Sequence, residues 1–160
     1  MRRFFFLLIL VLIVLQLFRP DKSNVSASPS KANINNFVTV PAEIDQLLKT
    51  SCYDCHSNNT SYPWYANVQP VGWWLSHHVN EGKNELNFDA FGDYTLRRKY
   101  HKLEEIDEMI EQEDMPLTSY TLIHKNAKLS AEQKTQLIAW SEKARKEMEE
   151  IYPIDSLKRK

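Results

Sequence analysis

Residues 41–57 read Pro-Ala-Glu-Ile-Asp-Gln-Leu-Leu-Lys-Thr-Ser-Cys-Tyr-Asp-Cys-His-Ser, a short amphipathic stretch that runs straight into Cys52-Tyr53-Asp54-Cys55-His56. Ile44, Leu47 and Leu48 recur at three and four residues and Pro41 suits a first helical turn, so the spacing predicts a short helix from about Pro41 into Thr50. That helix delivers the chain to the two cysteines. Thiols one helical turn apart reach the two vinyl groups of one porphyrin, and a histidine beside the second thiol falls directly below the iron. The pattern therefore implies one covalent haem c, with Cys52 and Cys55 as attachment points and His56 as the proximal axial ligand.

Two other chemistries use the same residues. A Cys52–Cys55 disulfide or a thioredoxin-like redox pair fits the spacing, but a redox pair of that kind sits in a strand-helix-strand context, and here a helix leads in and polar turn residues follow. A structural zinc needs four ligands, to be drawn from His77, His78, His101 or His124, and none of these supplies a second pair at finger-like spacing.

Working outward, only three glycines in 160 residues argue against a sandwich or barrel, which needs many tight turns. After an Asn/Ser/Thr-rich turn, Asn67 is placed to cap a second helix with Val71, Trp74, Leu75, His78 and Val79 on one face and Gly82 at its end. A third helix is expected over 95–113, striped by Leu96, Tyr100, Leu103, Ile106 and Ile110, with its acidic residues on a solvated face. Pro116 stops it and puts Met115 on a loop. Ser130 and Gln133 have capping-box spacing, opening a last helix lined by Leu137, Trp140, Ala144, Met148 and Ile151. The expected fold is all-α, a small cytochrome c-like bundle of about four helices around the haem.

At the N-terminus, Arg2 and Arg3 precede an apolar run from Phe4 to Phe18, and Arg19-Pro20-Asp21-Lys22 follow. This is an export signal. As a helix the run is about 22 Å long, short of a hydrocarbon core of about 30 Å and closer to a signal-peptide segment, which favours cleavage and a free periplasmic domain. The small-residue cleavage site at Val25-Ser26-Ala27 lies well past the run, behind charges and a proline, which favours an uncleaved anchor. The expected organisation is a signal anchor over 1–20, a flexible Ser/Asn-rich tether over 21–36 and a haem-binding domain over 37–155, on the periplasmic side of a bacterial inner membrane. With 20 Lys and Arg against 21 Asp and Glu, no single-sign field calls for nucleic acid as a partner.

The opposite face of the iron has several candidates. Met115, on a loop after a helix and before a proline, is the first choice for the distal ligand. His78, on an apolar helix face, is its rival. His124 and His101 come next, and an open sixth position is a further alternative. Tyr62, Trp64, Tyr65, Trp73 and Trp74 are expected to wall the crevice, and the Pro63 carbonyl is offered as acceptor for the outer nitrogen of His56. Arg97-Arg98-Lys99 reads as solvated helix surface.

Beyond the cysteine motif, Ser57-Asn58, Tyr62-Pro63-Trp64-Tyr65, Pro70, Trp73-Trp74, His78-Val79, Gly82 and Leu86-Asn87-Phe88 continue an ordered pattern. Met115-Pro116, Ser119-Tyr120-Thr121, His124, Ala127, Leu129-Ser130 and Trp140 complete it. In these residues the chain resembles the family of short, exported bacterial haem-binding domains. One departure is Asn87-Phe88-Asp89-Ala90-Phe91, where the family often has Asn-Phe-Ser-x-Trp. The resemblance implies haem binding, with Pro63, Trp64, Trp74, His78 and Tyr120 as pocket residues, and names no reaction. The expected role is a one-electron carrier between unidentified redox proteins, more an electron carrier than an enzyme. A haem sensor or peroxidase-like protein with a displaceable sixth ligand, and a non-haem dithiol oxidoreductase, are the alternatives.

Overall fold

The apolar run coils first: in the computed structural model, which describes residues 1–22, 24–26 and 30–158, it forms α1 (Arg2–Leu15) together with the two arginines before it. None of its residues is buried, and at about 21 Å it matches the length expected of the apolar run. No helix among the described residues is long and apolar enough to cross a membrane. Ala27, in the expected cleavage site, lies outside the described residues.

The helices α2 (Ala42–Ser51), α3 (Tyr53–His56), α4 (Val71–Glu85), α5 (Leu96–Glu111), α6 (Thr118–Ile123), α7 (Ala131–Ile151) and α8 (Ile154–Leu157) follow. Single 3-10 turns at Ile34–Asn36, Trp64–Asn67, Phe88–Asp93 and Lys125–Ala127 join them. There is no strand among the described residues, so the fold is all-α, as the glycine-poor composition requires. At the N-terminus of α7 the predicted capping box forms in full: Ser130 Oγ accepts from Gln133 N, and Gln133 Oε1 accepts from Ser130 N.

Helices α5 and α7 pack side by side, and with α2 they enclose the larger core, in which Leu48, Phe88, Phe91, Leu103, Leu137 and Leu157 are almost wholly buried. A smaller apolar cluster of Ala66, Leu75 and Val79 sits under α4. Helix α3 lies between the two: Cys52 and Tyr53 pack on the larger core and Cys55 on the smaller. The cysteine pair thus occupies the seam of the protein.

Several expectations are corrected. Helix α4 starts at Val71 rather than at an Asn67 cap, because Asn67 closes the preceding 3-10 turn and Pro70 takes the N-terminal flank. It runs past Gly82 to Glu85. Of its expected inward stripe, Leu75 and Val79 are buried while Val71 and Trp74 are exposed. Helix α5 ends ahead of Pro116, at Glu111: Glu113 adopts φ 63°, and the N–H groups of Asp114 and Met115 both return to the Met109 carbonyl at 3.0 and 3.1 Å. This left-handed reversal, made here by a glutamate, is the usual way to satisfy the last helical carbonyls.

The tether expected over 21–36 is fastened wherever it is described. Asn24 Nδ2 donates to Ser57 O and to Thr60 Oγ1 at 2.9 and 2.7 Å, Ser26 N donates to Asn58 O, and Ile34 is fully buried. Asn33 Nδ2 donates to the buried Asp89 carboxylate, which also accepts from the Asn58 backbone N–H at 2.8 Å. The apolar Ile34 and the supply of Asn side chains are what a purely compositional reading of this stretch overlooks.

The acidic face of α5 is only partly solvated. Asp107 is buried, accepts from Ser141 Oγ and pairs with Arg145. Replacing Arg145 with Met strips a buried carboxylate of its counter-charge, for which about 3 kcal/mol is the low end of the usual cost. The expected result is a lower thermal midpoint that Asp107→Asn, made in the same background, partly restores.

Candidate functional site

Helix α3 has a single turn, set off by Cys52, whose carbonyl accepts from both Cys55 N and His56 N at 3.2 and 2.9 Å. The motif is therefore helical in the way its spacing predicts, and the two thiols rise from one turn. What holds it against the body is Gly82 of α4. A Cβ placed there would lie 2.7 Å from the Cys55 carbonyl oxygen and 3.1 Å from Cys55 Cβ, so the absence of a side chain lets α4 close on the motif. Gly82 is a contact glycine within the helix and does not terminate it.

His56 Nδ1 donates to the Leu86 carbonyl at 2.9 Å. A carbonyl can only accept, so Nδ1 carries the proton and Nε2 keeps its lone pair. Burial pushes the imidazole below its ordinary pKa, which keeps it neutral. The expected partner, the Pro63 carbonyl, is taken instead by Ala66 N at 3.0 Å. Leu86 serves because it is the residue on which α4 stops, and its own N–H is fixed to Gly82 O.

Two cavities open against His56. The first, of about 550 Å³, is lined by both cysteines, His56, His78, Met115 and Tyr120 among others. The second, about 330 Å³ and strongly apolar, has Leu48, Phe88, Ile106, Met109, Ile110 and Leu137 in its walls. Both include Cys52, His56, Glu85 and Met115. A neutral histidine with a free nitrogen, two thiols and greasy walls in volumes of cofactor size form a donor set that suits a covalently held porphyrin. Among the described residues no cluster of three or more His, Cys, Asp or Glu could hold a bare metal ion.

The thiols fit a dithiol enzyme less well. Burial pushes Cys52 up to about 12 and Cys55 up to about 11, whereas a nucleophilic thiol is one whose pKa has been lowered.

Of the expected pocket residues, Tyr120, His78 and Met115 line the first cavity, and Pro63, Trp64 and Trp74 line neither. Trp64 is 79% exposed; Trp74 is 44% exposed and lays its ring against His78 at 4.2 Å. Trp64 belongs to the 3-10 turn before α4, and α4 buries the side that carries Gly72, Leu75 and Val79, which leaves Trp74 facing out. His78 Nδ1 is bonded to Trp74 O. Arg97 and Arg98 reach the Asp155 and Asn84 carbonyls, as a surface run does.

Other contributors carried no signal of their own. Lys102, 7% exposed, lines the apolar cavity with its ammonium on Glu105 and 3.5 Å from Glu85. It flanks the stripe of α5, where a long side chain can run along apolar surface to a charged end. Asp54, between the cysteines, accepts from Tyr120 Oη at 2.6 Å, and burial with this bond raises the phenol above its usual range. Tyr120 stacks on His124 at 4.3 Å, and His124 Nε2 lies 2.6 Å from Tyr65 Oη. This chain fastens the cysteine turn to α6, the helix that follows Met115. His124 is thereby a structural partner on the flank, and His101 lies on the exposed face of α5 beside Glu104 and Glu105.

Comparison with known proteins supports haem binding. A profile for a family described as a haem-binding domain matches residues 10–143. Cytochrome c peroxidase Ccp of Escherichia coli (strain K12) is 27% identical over 104 residues, which cover 63% of this chain but only 22% of that protein. No solved structure matches.

Proposed function

This chain belongs to the haem-binding domain family, and from that premise we propose that it is a c-type cytochrome with one covalent haem, working in one-electron transfer outside the cytoplasmic membrane. The observation that carries the reading is the setting of His56: Nδ1 is tied to Leu86 O, and the residue lies in the wall of both cavities that Cys52 and Met115 also line. Bound there through Cys52 and Cys55, a haem supplies a reversible ferric–ferrous couple.

The residues divide the remaining work. Leu86 fixes the imidazole plane and raises its basicity by accepting the outer proton, as such partners of ligating histidines do. Met115 is the distal ligand of this reading, because it lines both cavities that His56 lines, whereas His78 lines only one. Leu48, Phe88, Met109 and Leu137 exclude water, which sets the potential through the local dielectric. Lys102 lies in the wall of the apolar cavity with its ammonium paired to Glu105 and Glu85. Helix α1 serves as the uncleaved anchor, with the bilayer thinned to meet its length.

Met115→Ala is the direct test. The expected outcome is loss of the far-red sulfur-to-iron band and a lower reduction potential, read from the visible and near-infrared spectrum and a redox titration. An unchanged spectrum moves the assignment to His78. The likeness to part of a peroxidase favours a second reading, a displaceable sixth ligand with peroxide or gas chemistry. It requires a high-spin ferric spectrum and rapid carbon monoxide binding in the unmodified protein.

A further inference from the structure

The anchor and the domain are joined by specific bonds. Gln16 Oε1 accepts from Gln69 N at 2.8 Å, and Gln16 Nε2 donates back to Gln69 O at 3.1 Å. Trp73 Nε1 donates to Phe18 O at 2.6 Å, and Lys22 Nζ bonds to Asn67 Oδ1. The end of α1 is thus clamped to the start of α4 and to the 3-10 turn before it.

That same end of the domain is apolar and uncovered. Trp64 is 79% exposed, Val68 44%, Val71 40%, Trp73 36% and Trp74 44%, beside Leu17 and Phe18 at 79% and 63%. Isolated exposed apolar residues are ordinary, but a run of them rimmed by Arg19 and Lys22 marks a contact surface. We propose that the face formed by Trp64, Val68, Val71, Trp73 and Trp74 is a lipid-surface docking site, seating the domain directly on the bilayer beside α1.

The occupant follows from continuity with α1. This helix is apolar around its whole circumference, so it belongs within hydrocarbon and not flat in the interface, where an amphipathic helix lies. At about 21 Å it is shorter than a core of about 30 Å, and a short span draws its flanking residues toward the membrane. The flanking residues drawn in are tryptophans, whose amphipathic rings favour the headgroup level, and basic side chains that reach anionic lipid. Because Gln16 bonds directly to Gln69, the domain descends with the helix.

The inference rests on the anchor reading of α1, and the experiment separates the two. The full haem-loaded chain is reconstituted into vesicles of phosphatidylethanolamine and phosphatidylglycerol, floated, and footprinted with hydroxyl radicals read by mass spectrometry. Trp140, 5% exposed, is the buried reference, and Tyr152, at 37%, matches Trp73 in exposure. The expected result is co-flotation, with oxidation of Trp73 and Trp74 falling to the Trp140 level while Tyr152 is modified. Co-flotation with Trp73 and Trp74 oxidised like Tyr152 overturns the docking surface and leaves the anchor standing. Failure to float overturns both. Protection that persists in detergent, together with cross-linked dimers, assigns the face to a second copy of the chain and also overturns the proposal.

Discussion

Replacing Cys52 and Cys55 together by alanine yields a chain that is colourless on a haem-stained denaturing gel and has lost its cooperative melt. The reason lies in the seam. Cys52 packs on the core built by α2, α5 and α7, and Cys55 on the separate cluster under α4. Helix α3 contacts both bodies, so in the proposed holoprotein the group bound to it is common core to both. A ligand held by the native state adds its binding free energy to folding, and a covalent one cannot dissociate. Small domains with divided cores depend heavily on such a contribution. Haem staining, the mass of the purified chain and far-ultraviolet circular dichroism check the result together; a bare polypeptide mass for the unmodified protein made in a host competent for cytochrome c maturation removes the premise.

Gly82→Val has the second largest expected effect. Its Cβ would meet the Cys55 carbonyl oxygen at 2.7 Å, closer than carbon and oxygen tolerate, and neither atom belongs to a flexible side chain. Helix α4 has to move off α3, and overpacking of this kind costs about 1–3 kcal/mol. Because the displaced turn also carries Leu86, the imidazole loses its orienting acceptor as well. The expected phenotype is a sharp drop in haem-loaded yield, with the surviving fraction showing a shifted Soret band and a lower thermal midpoint. Gly82→Ala, which gains up to about 1 kcal/mol of helix propensity, is still destabilised, since its only added carbon is the one that clashes. An alanine variant as stable as the parent would show that α4 does not need this approach.

Both predictions concern contacts that only part of the sequence advertised. Helices α2, α5 and α7 were legible because their apolar residues keep the helical period and because Thr95 and Ser130 carry capping oxygens. The cysteine turn was legible from spacing alone. Helix α4 was not: Asn67 resembles a cap and Gly82 resembles a stop, but tertiary contacts assign the first to a 3-10 turn and the second to the approach of α3. Its apolar stripe was also wider than the buried side, which holds Gly72, Leu75 and Val79 and leaves Val71 and Trp74 exposed. The acceptor for His56 was missed for a different reason. A backbone carbonyl exists at every residue, so nothing in the side chain of Leu86 distinguishes it from Pro63. Lys102 and Asp107 were placed on a wet face because their type is usually found there, and each is buried beside a specific counter-charge. The change to Asp89 in the family pattern proved tied to the N-terminal segment, a long-range partner that a local motif does not reveal.

The five residues from Gly82 to Leu86 give the protein little room for separate tuning. In the proposed holoprotein, one end of that turn sets how near the polypeptide comes to the thioether side, and the other end sets the tilt of the imidazole. Evolution cannot adjust the electronic field at the metal from this direction without also testing the covalent linkage. The distal loop around Met115, which shares no residue with that turn, is where sequence drift can retune the midpoint at low structural risk.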